Sequence, residues 1–72
     1  MFINVDLHLR VDPGEAHRNL GLVVIESDGP LVQPHHDIAC CAGGRAVKAH
    51  VTSVRRRRDR LPHVYADTID KA

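Results

Sequence analysis

From Met1 to Val11 polar and apolar side chains alternate without a break. Ile3, Val5, Leu7, Leu9 and Val11 share one parity, and Phe2, Asn4, Asp6, His8 and Arg10 share the other. A period of two is that of a pleated strand with one face buried and one wet, as in an antiparallel sheet. A slip of one residue would invert the whole face, so the register is sharply specified. Asp12-Pro13-Gly14-Glu15 then breaks the pattern with a turn, Pro fixing φ at the second position and Gly supplying a positive φ at the third. Glu15 to Asn19 is compatible with a short helical turn or an exposed loop.

Leu20 to Glu26 (LGLVVIE) is apolar on both parities at its centre, which predicts a strand covered on both sides, with a bulge or close backbone approach at Gly21. Ser27-Asp28-Gly29-Pro30 is a second turn signal. Leu31 to Gln33 reads as a short strand that Pro34 confines to an edge. Residues 35–44 (HHDIACCAGG) show the least regular pattern and end at Gly43-Gly44. From Arg45 the alternation returns: Val47, Ala49 and Val51 against Lys48, His50 and Thr52. Val51 and Val54 cannot share a face of an unbroken strand, so a bulge is expected near Thr52 and Ser53. Leu61-Pro62 opens a last strand that runs to Ile69, and the residues between form a hairpin end.

Five strand segments joined by short turns predict an all-β, mostly antiparallel single domain over residues 1–72. The expected form is a small five-stranded barrel or strongly curled sheet with at most one short helical turn. Composition agrees: there is no Trp, one Phe, one Tyr and one Met, so the core is built from Val, Ile and Leu, with the β-branched Val and Ile, which suit a pleated surface, outnumbering Leu. A chain of 72 residues hides only about 60% of its unfolded surface, which leaves stability marginal unless a partner, metal or disulfide assists. Cys40 and Cys41 are adjacent, too close for an unstrained bridge, so reduced thiols are expected. No apolar run approaches the roughly 20 residues of a membrane-spanning helix, and no secretory leader pattern is visible. The expectation is a cytoplasmic protein without membrane contact.

The net charge is +1, but it is unevenly spread. Up to Gly44, six acids (Asp6, Asp12, Glu15, Glu26, Asp28, Asp37) face Arg10 and Arg18, a balance of −4. From Arg45 to Arg60, Arg45, Lys48, Arg55, Arg56, Arg57, Arg58 and Arg60 face only Asp59, a balance of +6. Guanidinium groups stay charged and grip phosphate in bidentate fashion, so these seven residues are the candidate nucleic-acid-binding set. Charged residues at a hairpin end also guard exposed strand edges, the plainer account of the same run. A basic segment can equally meet acids on a second copy or another protein. Phe2, Val23 or Ile25, and Tyr65 are candidates to line such an interface.

His35, His36, Cys40 and Cys41 are competent metal ligands, but adjacent ligands bite poorly and the usual zinc spacing is missing. Cys40 or Cys41 with His36 and Asp37 would supply a thiolate and base, yet nothing in the spacing makes them converge. A non-catalytic binding module without cofactor is therefore expected.

The passage GGRAVKAHVTSVRRRRDRLPHVYADTI resembles the closing strands of ASCH domains, small barrels akin to the PUA domain and linked with RNA. There a Gly-Arg step precedes a strand ending in a Val-Thr-x-Val pattern, here Val51, Thr52 and Val54, and a last strand follows. The upstream LGLVVIES is similar to the strand leading into that region. The resemblance implies a small barrel with RNA as partner. The family's Gly-Asp step and charged segment have no counterpart here, so no catalytic residue carries over.

Overall fold

A computed structural model describes residues 1–12, 14–29, 31–42, 44–57 and 60–69, with only the backbone described at 42, 57 and 60. Five strands follow one another: β1 (Phe2–Arg10), β2 (Arg18–Glu26), β3 (Asp37–Ala42), β4 (Arg45–Arg57) and β5 (Arg60–Thr68). They close into a barrel in chain order. Each sequential pair is antiparallel, and the closure of β5 onto β1 is parallel, pairing Asp6 with His63 and His8 with Tyr65. Turns occur where the sequence signals them. The Glu15 N–H donates to the Asp12 carbonyl at 3.0 Å, and Gly44 takes a φ of 78° between β3 and β4.

The interior is filled by the inward parity of every strand. Val5, Leu7 and Leu9 from β1, Ile25 from β2, Ile38 and Cys40 from β3, Ala49 and Val51 from β4, and Val64 and Ala66 from β5 are all buried. A five-stranded barrel has a narrow bore, so Ala and Val fill it where aromatic rings would not fit. Val32 joins this core from the segment between β2 and β3.

Two bulges adjust the strands. The β1–β2 register skips Leu20 beside Gly21, whose φ is 73°, and the β4–β5 register skips Thr52 between Val51 and Ser53. The second lets Val51 and Val54 both turn toward the core, as the parity change requires. A further irregularity opposite Arg56 leaves Leu61 and Pro62 unpaired, which suits a proline without an N–H to donate.

Two expectations are corrected. The short strand lies at Asp37–Ala42 and not at Leu31–Gln33. Residues 31–33 lie between prolines, which donate nothing to a ladder, and Val32 serves as a core plug. In β3, Ile38 and Cys40 alternate inward with Ala39 and Cys41 outward, a pattern made faint by small side chains. Second, β2 is covered on its inner side only. Leu22 and Val24 are 69% and 54% exposed, while Ile25 is buried and Val23 packs against the core. Val23 and Ile25 are therefore core residues and not interface residues. The seam between β2 and β3 carries a single residue pair, Glu26 with Ala39.

Candidate nucleic-acid interface and the polar face beside it

The long hairpin of β4 and β5 positions the arginine cluster. Its register pairs Arg55 with His63 and Arg57 with Arg60. Arg55 is exposed and makes no ion pair among the described residues. Arg56 behaves differently. It has the parity of Val54, and its Nη2 donates to the Val32 carbonyl, which ties the segment between β2 and β3 over the barrel end. The backbones of Arg57 and Arg60 stand at one rung. Arg58 lies outside the described residues.

Arg45 and Lys48 do not join this group. Arg45 opens β4, ten residues before Arg55, about 33 Å along an extended strand. Lys48 pairs with Ala39 in register and lines a shallow depression with the acidic Glu26, Asp28 and Asp37. The predicted seven-residue patch thus divides into a hairpin end and two separate cations near the opposite end.

The other sequence-derived candidates are also apart. Cys40 faces the core and Cys41 faces outward, as neighbours in a strand must. Burial, and then the adjacent Cys41 thiol, push the Cys40 thiol up from its ordinary value, which makes it a poor nucleophile. His36 and His35 pair with β4 through their backbones: the His35 N–H donates to the Val51 carbonyl and the Val51 N–H to the His36 carbonyl, both at 2.8 Å. Asp37 accepts from His50 Nδ1 at 2.8 Å.

A polar face not foreseen from the sequence lies beside the hairpin, on the outer side of β1 and β5. Parallel closure stacks three rungs there: Asp6 with His63, His8 with Tyr65, and Arg10 with Asp67. His8 Nε2 lies 3.0 Å from His63 Nδ1, and the His8 ring stacks on Tyr65 at 4.3 Å between centroids and 13° between planes. His17 stands edge-on to Tyr65 at 5.5 Å. Burial lowers the His8 pKa below its ordinary value, and neighbouring His63 and His17 add to this against the opposing charge of Asp6. The signal was present as the outward Asp-x-His of β1 and as His63, but only closure of the two chain ends unites them.

At the next rung Arg10 grips Asp67 with two donors, Nε at 2.9 Å and Nη2 at 2.8 Å. This hydrogen bonding holds the Asp67 carboxyl below its ordinary 3.8, with burial opposing and the charges of Arg10 and His17 assisting. A depressed carboxyl contributes stability above its unfolded pKa and loses it as pH falls through the folded value. Asp67→Asn should therefore flatten the loss of thermal stability of the protein below about pH 4. Thermal melts at stepwise lower pH check this; an unchanged acid dependence in the variant would reject the assignment.

Comparison with protein-family models, with curated proteins and with solved structures finds no match for this chain.

Proposed function

We propose that this barrel binds the phosphate backbone of a nucleic acid through the end of its β4–β5 hairpin, with no catalytic step. The observation that carries the reading is Arg55: exposed, without a carboxylate partner among the described residues, and one rung from the Arg57–Arg60 pair. Arg58 adds a fourth charge between them in the sequence. Neutralising that run with the chain's own acids would argue against a phosphate partner, and Arg55 has no such neighbour among the described residues. The resemblance of the closing strands to ASCH domains points the same way and favours RNA. Filter binding of single-stranded RNA, duplex DNA and a non-nucleic polyanion at two salt concentrations tests it. Steep weakening with salt is expected, because each neutralised phosphate releases condensed counterions. Salt-independent binding, or none to either nucleic acid, overturns the reading.

A second reading, self-association, is favoured by a separate observation. Leu22 and Val24 are exposed on β2, Phe2 beside them is 75% exposed, and the β2 edge meets β3 at one residue pair only. An open edge with apolar neighbours is a template for another strand. Antiparallel pairing of two β2 strands about Leu22 would set Arg18 of one copy against Glu26 of the other. Light scattering over a concentration series is expected to give a dimer that Leu22→Glu with Val24→Glu returns to monomer. A wild-type protein monomeric at every concentration rejects the pairing.

A further inference from the structure

We propose that Asp6, His8 and His63 form a binding site for a divalent transition-metal ion of the zinc class. One ligand atom from each residue lies within 4.8 Å of the other two, and all three residues are half-buried on the outer face of β1 and β5. His8 Nε2 and His63 Nδ1 are 3.0 Å apart, Asp6 Oδ2 is 3.6 Å from His63 Nδ1, and Asp6 Oδ1 is 3.8 Å from His8 Nε2. Zinc–nitrogen bonds of about 2.0–2.1 Å place the corners of a tetrahedral site about 3.3 Å apart, so the two ring nitrogens already stand near two corners, and the Asp6 carboxylate reaches one nitrogen with each oxygen.

The hydrogen-bond geometry favours the ion over a hydrogen-bonded cluster. His8 Nε2 and His63 Nδ1 face each other, so a contact between them uses one N–H as donor and the other nitrogen as acceptor. Nothing is left for the carboxylate, and Asp6 Oδ1 is in fact buried with no hydrogen-bond partner. A buried carboxylate oxygen without a partner is costly. A cation between the three groups would satisfy that oxygen and both facing ring nitrogens at once.

The ligand types fit. Two imidazoles with one carboxylate suit zinc, and also iron(II) and related first-row ions, better than calcium or magnesium, which prefer all-oxygen shells. Three protein ligands leave a fourth position, as sites that bind a water or an exogenous group do. The surroundings also fix the rings. Tyr65 stacks on His8, and His17 rests edge-on against Tyr65 while its Nε2 lies 3.3 Å from Asp67 Oδ1. The outward Asp6 and His8 sit two apart on β1, and His63 is the register partner of Asp6, so the backbone ladder presets their spacing.

Isothermal titration of the untagged 72-residue chain with zinc chloride, with magnesium and calcium as controls, tests the site. One equivalent of zinc is expected, with neither control ion competing. Asp6→Asn, His8→Gln and His63→Gln should each lower zinc affinity at least about 100-fold, since loss of even an outer-shell partner costs 10–100-fold. The triple variant His35→Asn, His36→Asn, Cys41→Ser should bind as wild type does. Cobalt(II) reports on the unaltered protein, whatever a variant does to folding: a weak visible spectrum without a thiolate charge-transfer band is expected. A thiolate band, full affinity in a folded Asp6→Asn or His63→Gln variant, or no stoichiometric zinc binding would overturn the site.

Discussion

Replacing Arg55, Arg57, Arg58 and Arg60 together by Gln is expected to remove most of the affinity for single-stranded RNA and most of its salt dependence. Each phosphate neutralised on a single strand contributes about −0.7 to the slope of log affinity against log salt; four contacts give about −2.8, or roughly a 50-fold loss between about 50 and 200 mM salt. The variant should start far weaker at low salt and hardly weaken further. Arg56 is left in place because its guanidinium already donates to the Val32 carbonyl and so belongs to the barrel. Arg56→Gln alone should reduce stability more than affinity. A quadruple variant that kept the wild-type slope in a binding series would locate the contact elsewhere, with Arg45 and Lys48 at the opposite end of β4 as the next residues to replace.

Leu7→Ala is expected to cost about 2–5 kcal/mol, the range for a buried leucine that leaves a cavity. Leu7 is fully buried, paired with Gly21 in β2 and with Val64 in β5. Its surroundings are already small: Val5, Ala49, Val51, Val64 and Ala66 line the same bore. Short β-branched neighbours held by a closed ladder have little freedom to collapse into the space, which puts the cost toward the upper part of the range. Native domains hold only about 0.05–0.15 kcal/mol per residue, so the loss is a large share of what a 72-residue chain has. Urea denaturation followed by far-ultraviolet dichroism checks it. A midpoint unchanged from wild type would mean that the barrel interior is not the source of stability. Leu22→Ala, on the outer face, should by contrast leave a monomer almost unaffected.

These outcomes divide the molecule as its sequence does and does not. Strand positions were legible wherever burial enforces a period of two. The alternation of β1 and the parity change after Val51 follow from which side chains must avoid water, the turn at Asp12 to Glu15 from the backbone preferences of Pro and Gly, and each appears where the pattern puts it. β3 was not legible, because Ala39, Cys40, Cys41 and Ala42 differ too little in polarity to mark two faces. The exposure of Leu22 and Val24 was also hidden, since an apolar residue reads the same whether a partner covers it or not. The arginine run was visible as charge, but its division was not: Arg56, exposed like Arg55, reaches back to the Val32 carbonyl, Arg55 makes no ion pair among the described residues, and Arg45 and Lys48 sit far along the strand.

Local periodicity, then, determined on its own that this protein is an all-β chain of short strands with a basic hairpin, a barrel or a strongly curled sheet. Only tertiary structure decided that Asp6, His8 and His63 meet. The first two are fifty-odd residues from the third, and what joins them is the parallel closure of β5 onto β1. Such a pairing depends on where every intervening strand has gone, and no short-range pattern of residues encodes it.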